Sequence, residues 1–205
     1  HKLGRITYNF EEDIIASAKT ICKRYKGNQA HAEYLEQMAG KFFDLLQKYH
    51  GLGERERLLL RLAAILHDCG KFISMSAPGE CAYQIIMSTE ILGISHMERE
   101  MVASIVRYNT MELPNFNEFD GKLGNDEYLI VMKLAAILRV CNALDRSHRQ
   151  KFADMKLTIK DSNIVITTAY PDNITLEKKT LQDKQDFFEE VYGLGFEIKQ
   201  KKKKQ

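Results

Sequence analysis

The spacing of apolar residues changes once along this chain, near Gln150, and that change restricts the folds open to it. Between Glu11 and Asp145 apolar residues recur every three or four positions, as in helices with one buried face. Beyond Gln150 they alternate, as in β-strands, before one more helical segment. We therefore expect a mainly α protein, with an all-α domain over residues 1–150 and a small α+β domain over residues 151–205.

Residues that start or stop helices divide the first part. Asn28 is placed to cap the second helix, Pro78 fits a first helical turn, and Ser95 with Glu98 forms a capping-box pattern. The predicted helices run over residues 11–26, 28–50, 53–68, 78–92, 95–109 and 126–145. Gly70 is expected to stop the third of these in the left-handed conformation. The polar stretch from residue 110 to 125, which contains Gly121, is expected to be a loop held by its phenylalanines, Phe116 and Phe119.

The second part predicts short strands and one helix. Residues 155–159 and 164–166 alternate on either side of Asp161-Ser162-Asn163, which predicts a β-hairpin. The further expected features are a third strand at Ile174 and Leu176, a helix capped by Thr180 and Asp183 and ended by Gly193, and a last strand at Phe196 and Ile198.

The formal net charge of +2 conceals an uneven distribution. Lys199 and Lys201 to Lys204 supply five of the 30 basic residues, which leaves 25 against 28 acidic residues, or −3, for the rest. Such a tail is typical of a solvated chain end, and attraction to a polyanion is the alternative.

Other features of composition favour a cytoplasmic protein. The four cysteines show no Cys-x-x-Cys spacing, which argues against a zinc ribbon and fits reduced thiols. No apolar run approaches the roughly 20 residues that a membrane span needs, and no signal-peptide pattern opens the chain. Because the first residue is His1 rather than Met, we expect the chain to be part of a longer protein.

A buried helical run ends on an adjacent histidine and aspartate, in Leu62-Ala63-Ala64-Ile65-Leu66-His67-Asp68-Cys69-Gly70-Lys71. His31 also points inward, because it lies four residues before Leu35 on the apolar face of its helix. A lone buried histidine is usually a hydrogen-bonded core residue, and a His-Asp pair alone is equally typical of a helix that ends in solvent.

Four segments together resemble the C-terminal half of the exopolyphosphatase / guanosine pentaphosphate phosphohydrolase family. They are residues 66–74 (LHDCGKFIS), 91–100 (ILGISHMERE), 139–148 (RVCNALDRSH) and 187–193 (FFEEVYG). The resemblance implies an HD-like helical domain followed by a small α+β domain. It also implies three partners: an N-terminal actin-like phosphatase half that carries the catalytic groups, a second copy in a homodimer, and polyphosphate or another polyanion.

The resemblance also implies a degenerate metal site of the HD type. His31, His67 and Asp68 match its ligands, whereas Asn142 stands where a late aspartate is expected, and Pro78–Ala82 and Asn109 replace further histidines. A neutral amide coordinates a divalent cation only weakly, so we expect no tightly bound metal, with a divalent ion at His31, His67 and Asp68 as the alternative.

Two further residues are possible ligands of that site. Cys81 could replace a histidine, although free cysteines are usually small buried hydrophobic residues. Asp145 could reach inward, although a cap or a pairing with a neighbouring arginine is the more usual role.

Two main functions follow. The first is a non-catalytic module that contributes to polyphosphate binding and dimerisation; the chain has no glycine-rich phosphate loop and no recognisable activated serine or cysteine, so no catalytic residue is predicted. The alternative is an independent metal-dependent HD-type phosphohydrolase that acts on a nucleotide or phosphate ester. A helical scaffold with a polyanion-binding tail is a third hypothesis.

Overall fold

The fold is mainly helical, with a three-stranded sheet near the C-terminal end, which confirms the predicted fold class. The computed structural model describes residues 2–119 and 122–201, with side chains from residue 10 onward. The helices before the sheet are α1 (Lys2–Arg24), α2 (Gln29–Leu45), α3 (Gln47–His50), α4 (Glu54–Leu66), α5 (Pro78–Ser88), α6 (His96–Thr110) and α7 (Asn125–Leu144). The remaining elements are β1 (Lys156–Lys160), β2 (Asn163–Thr168), α8 (Thr175–Tyr192) and β3 (Gly195–Gln200). Gly121 and the tail lysines Lys202 to Lys204 lie outside the described residues.

The helix starts predicted from capping residues are confirmed. The Asn28 side chain accepts a hydrogen bond from the backbone N–H of His31 at 3.0 Å, and Pro78 is the first residue of α5. Ser95 and Glu98 form a complete capping box, with hydrogen bonds of 3.1 and 2.9 Å. These caps satisfy backbone N–H groups that a helix start leaves without partners.

The conformation predicted for Gly70 was wrong. The glycines in the left-handed region are Gly51, Gly93 and Gly193, and Gly70 is not among them. A Cβ atom on Gly70 would lie 2.1 Å from the Pro78 carbonyl oxygen and 2.6 Å from the Ala82 nitrogen. Glycine is therefore required because the loop after α4 contacts the first turn of α5 directly.

The small sheet combines a hairpin with a crossover. β1 pairs with β2 in antiparallel register, β2 pairs with β3 in parallel register, and α8 connects the two parallel strands. Asp161 and Ser162 turn the hairpin with φ of 50° and 61°. The predicted hairpin and last strand are thus confirmed.

Two predictions for the start of α8 were wrong: the third strand at Ile174 and Leu176, and the helix caps at Thr180 and Asp183. The Asn173 side chain accepts a hydrogen bond from the Thr175 N–H at 2.8 Å, which starts α8 immediately after Ile174. Thr180 and Asp183 consequently lie within α8 rather than at its start. Gly193 ends α8 with a φ of 66°, as predicted.

One hydrophobic core extends through the helices and onto one face of the sheet. Ile164 and Ile166 of β2 and Phe188 of α8 are buried in the same cluster as side chains of α1, α2 and α4 to α7. The Tyr192 hydroxyl donates to the Lys133 carbonyl at 2.8 Å and links α8 to α7. The division into two domains near Gln150 stays a prediction.

The connection between α6 and α7 is anchored by aromatic rings, as expected. Phe116 and Phe119 contact the Tyr128 ring, with centroid distances of 5.5 and 5.3 Å. Within the described residues, every helix is too short or too polar to cross a membrane.

We predict that Gly70→Ala destabilises the protein. The added methyl group would collide with backbone atoms of α5, and overpacking of this kind costs roughly 1–3 kcal/mol or more. Gly53→Ala is the matched control, because its nearest neighbour would be the Glu56 carboxylate at 3.4 Å. Urea unfolding of both variants measures the difference, and equal stabilities would contradict the proposed close contact.

Candidate functional site

The His-Asp pair lies at the buried end of α4. The helix ends at Leu66, and His67 and Asp68 begin the series of turns that follows rather than the last helical turn. The Cys69 N–H bonds to the Leu66 carbonyl at 3.0 Å, and the Lys71 N–H bonds to the Asp68 carbonyl at 3.2 Å. These turns hold both side chains in the interior, where His67 is 4% exposed and Asp68 is 9% exposed.

Three of the predicted site residues converge, with His31 supplied by α2. The Nε2 atom of His31 lies 3.1 Å from Nε2 of His67. The Asp68 Oδ2 atom lies 3.2 Å from Nε2 of His67 and 3.9 Å from Nε2 of His31. Two imidazoles and one carboxylate therefore face a common point; we refer to these three residues, with Asp145, as the buried cluster.

Asp145 belongs to this cluster through its carboxylate. It follows the last residue of α7, and its Oδ2 accepts a hydrogen bond from Nδ1–H of His31 at 2.5 Å, with both side chains fully buried. Its Oδ1 accepts from the Gln150 backbone N–H at 2.9 Å. The carboxylate thus reaches inward, as one of the two sequence hypotheses supposed, and pairs with a histidine rather than with an arginine.

The protonation of the two histidines follows from their outer partners. His31 donates from Nδ1 to Asp145, and His67 donates from Nδ1 to the Ala64 carbonyl at 2.6 Å. In their neutral forms both imidazoles would then present an unprotonated Nε2 to each other at 3.1 Å. Such a contact requires either one shared proton, which makes the pair cationic, or a bound cation.

Asp68 is ionised at neutral pH. Burial alone raises the pKa of its carboxyl group, but hydrogen bonds and charges from His67 and Lys71 outweigh burial and hold that pKa well below its usual range. The Lys71 ammonium group lies 2.8 Å from Asp68 Oδ1. The cluster therefore contains a fixed negative charge beside the two histidines.

His148 covers the cluster, and the sequence analysis did not identify it. Its ring stacks on that of His31 with centroids 3.8 Å apart and an interplanar angle of 16°. Its Nδ1 lies 3.3 Å from the Asn28 amide nitrogen, and its φ of 56° is unusual for a residue other than glycine. Burial and the neighbouring His31 lower the pKa of His148. The signals in the sequence were its position three residues after Asp145 and at the end of segment 139–148, which belongs to the family resemblance.

A divalent metal ion fits these residues in part. His31, Asp68 and His148 each offer one ligand atom, and these atoms lie within 4.8 Å of one another. The bond from His31 to Asp145 is the outer contact that metal-binding histidines usually make. However, the parallel His148 ring cannot direct its lone pair at the same point as His31 without rotating. His31 and Asp68 are thus placed as donors, and His148 completes the group of three only if its ring rotates; His67, 3.1 Å from His31, is not in that group.

The other predicted positions contribute less. Among the described residues, no hydrogen bond joins the Asn142 side chain to the cluster. The backbone carbonyl of Asn142 accepts a hydrogen bond from the Asp145 backbone N–H at 3.3 Å. Cys81 is half-buried in α5 and is not in the group of candidate metal ligands. Asn109 is 3% exposed, and its side-chain oxygen has no partner in the described structure.

The chain matches a known protein family over most of its length. Residues 15–186 match a family model described as Ppx/GppA phosphatase, domain III. The matched range contains every residue of the buried cluster as well as His148. No curated protein matches the chain.

We predict that Asp145→Asn destabilises the protein by about 3 kcal/mol, because it removes one charge from a fully buried pair and leaves an amide N–H₂ without a partner. Asp44→Asn is the control, since Asp44 is 61% exposed in its pair with Arg57, and such pairs contribute about 1 kcal/mol or less. Denaturant unfolding at neutral pH gives both values. An effect of Asp145→Asn no larger than the control would show that the pair does not hold α2 to α7.

Proposed function

Because the chain belongs to the Ppx/GppA phosphatase family as its domain III, we propose that it is a non-catalytic module of an exopolyphosphatase-related protein. In this proposal it contributes to polyphosphate binding and to dimerisation, beside an N-terminal actin-like phosphatase half that performs the hydrolysis. We place it in the cytoplasm, a compartment in which its four free cysteines would stay reduced.

The hydrogen bonding of the cluster is the observation that supports a non-catalytic role. Both nitrogens of His31 and of His67 have partners within 3.2 Å, and the two Asp68 oxygens contact Lys71 and His67. Burying polar groups costs several kcal/mol unless they are paired, and here they pair with one another. A cluster of this kind joins α2, α4 and the end of α7 without requiring a metal ion.

The open face of the sheet is the candidate surface for a polyanion. In the strand register Lys156 and Lys199 flank Thr167, and Lys160 projects from the same face of β1. All three lysines are exposed. On β3, Glu197 projects from the same face as Lys199, and its carboxylate lies 3.9 Å from the Lys199 ammonium group. Lys201, directly after β3, is also exposed.

An apolar loop directly after the cluster is the candidate surface for dimerisation. Phe72, Ile73 and Met75 are 62%, 57% and 80% exposed. The loop is nevertheless ordered, because Ile73 and Ser74 donate backbone hydrogen bonds to the Gly70 carbonyl at 3.2 and 3.0 Å. Adjacent exposed apolar side chains on a rigid loop are typical of contact surfaces.

The alternative function is that of a metal-dependent HD-type phosphohydrolase. The convergence of His31, His67 and Asp68 favours it. These residues would hold a divalent ion, which supplies an activated water for attack on phosphorus. Asp145 would orient His31 and support its basicity.

We predict that the chain binds long-chain polyphosphate with an affinity that falls at least tenfold between ~50 and ~200 mM salt, because the contacts are electrostatic. Replacing Lys156, Lys160 and Lys199 together by glutamine should weaken binding, whereas the same change at the exposed residues Lys41, Lys48 and Lys178 should not. Truncation after Gln200 tests the tail separately, because it leaves β3 and Lys199 in place. Equal losses in the two triple variants, or binding unaffected by salt, would exclude the sheet as the polyanion site.

We predict that the chain alone hydrolyses neither polyphosphate nor guanosine pentaphosphate in the presence of Mg²⁺ or Mn²⁺, and that it retains no stoichiometric transition metal after dialysis. Elemental analysis and phosphate release measure the two properties. Turnover near 1 per second or faster, together with bound metal that is lost in His67→Ala, would establish the alternative function instead.

We predict that the chain sediments as a dimer and that Phe72→Ser with Met75→Ser shifts it to monomer. The change removes most of the exposed apolar loop without touching the core. Leu92→Ser is the control, because Leu92 is 72% exposed on a different connection. A dimer that persists in the double variant would place the interface elsewhere.

A further inference from the structure

A polar cavity lies between α5 and α6, apart from the buried cluster. Its volume is about 170 Å³, and its charged lining residues are Glu80, Glu100, Arg107 and Lys122. The Tyr83 ring lies among them: the Arg107 guanidinium is 4.8 Å from its centroid and the Lys122 ammonium is 6.0 Å from it. Two acidic and two basic side chains therefore share one small space.

Glu100 is the buried acid of this cavity, with 4% of its surface exposed. One carboxylate oxygen accepts a hydrogen bond from the Tyr83 hydroxyl. In the described part of the chain, no lysine or arginine nitrogen lies within 4.0 Å of it, and its other oxygen accepts no hydrogen bond. Buried carboxylates are normally paired with a cation, so the cavity provides a place for a positive group of a ligand.

Lys122 carries the opposite charge at the same cavity. No carboxylate among the described residues lies within 4.0 Å of its ammonium group, whereas Arg107 is paired with Glu80 at 2.8 Å. Phe119, which also lines the cavity, is held by ring contacts with centroids 5.7 Å from Tyr108 and 5.3 Å from Tyr128. The two charges left without an ion pair are thus one negative and one positive.

We propose that this cavity binds a small zwitterion of the amino acid class. The ammonium group of the ligand would pair with Glu100 and its carboxylate with Lys122, on either side of Tyr83. A volume of about 170 Å³ corresponds to roughly six water molecules and is smaller than a drug-sized pocket. Polyphosphate does not suit it, because the two acidic residues balance the two basic ones and the unpaired Glu100 would repel a polyanion.

The experiment titrates L-alanine, L-serine and γ-aminobutyrate into the chain, followed by ¹H–¹⁵N NMR. Acetate and methylammonium, which each carry one of the two charged groups, are the ligand controls. At least one zwitterion should shift the signals of α5 and α6 at ~10 mM or below, and the one-charge controls should bind at least tenfold more weakly. Signals unmoved by all three zwitterions, or moved equally by acetate or methylammonium, would overturn the proposal.

Variants locate the site. Glu100→Gln and Lys122→Met should each weaken zwitterion binding about tenfold or more, the effect of losing one charged hydrogen bond. Lys179→Met, an exposed change on α8, should leave it unaltered. If Glu100→Gln does not fold, Lys122→Met alone decides, because Lys122 is exposed. Binding unchanged in Lys122→Met would overturn the assignment.

Discussion

The contact between His31 and Asp145 is the interaction on which the arrangement of the helices depends. It joins α2 to the residue that ends α7, across 114 positions of sequence and with both side chains fully buried. Once Nδ1 of His31 is fixed, its Nε2 faces His67 at the end of α4, and its ring offers a flat surface to His148. Because a buried charged pair is stable only with good geometry, these contacts fix the start of α2 and the ends of α4 and α7 relative to one another.

The charges of the cluster can balance among its own residues. Asp68 and Asp145 supply two negative charges, and Lys71 supplies one positive charge at the rim. A proton shared between His31 and His67 would supply the second, which leaves the group near neutrality. The carboxylate expected at Asn142 would add a further negative charge that only a metal ion balances well, so a neutral amide there is consistent with a cluster held by protons.

The sequence predicted the helices well because their apolar spacing and capping residues are local signals, as at Asn28 and Ser95. The spacing also predicted that His31 points inward, and the family resemblance grouped it with His67 and Asp68, whose side chains lie beside it. Gly70 was misinterpreted because sequence does not distinguish a glycine needed for its dihedral angles from one needed for close packing. The start of α8 was misplaced because the Asn173 side chain, about two turns before Thr180, accepts the hydrogen bond from the first helical N–H. His148 and the role of Asp145 depend on how the chain turns after α7, which no periodicity encodes.

The arrangement separates an interior that sets the structure from surfaces available to ligands. Every polar atom identified in the contacts of His31 and His67 is directed at the protein itself, so the cluster offers a phosphate little to bind. The exposed lysines of the sheet and the unpaired charges beside Tyr83 are directed outward or into a cavity instead. These two sites differ in charge: the sheet face is mainly basic, whereas the cavity lining has as many acidic as basic residues. The two proposed sites share no residues, so together the proposals predict that a polyanion and a small zwitterion bind the chain at the same time.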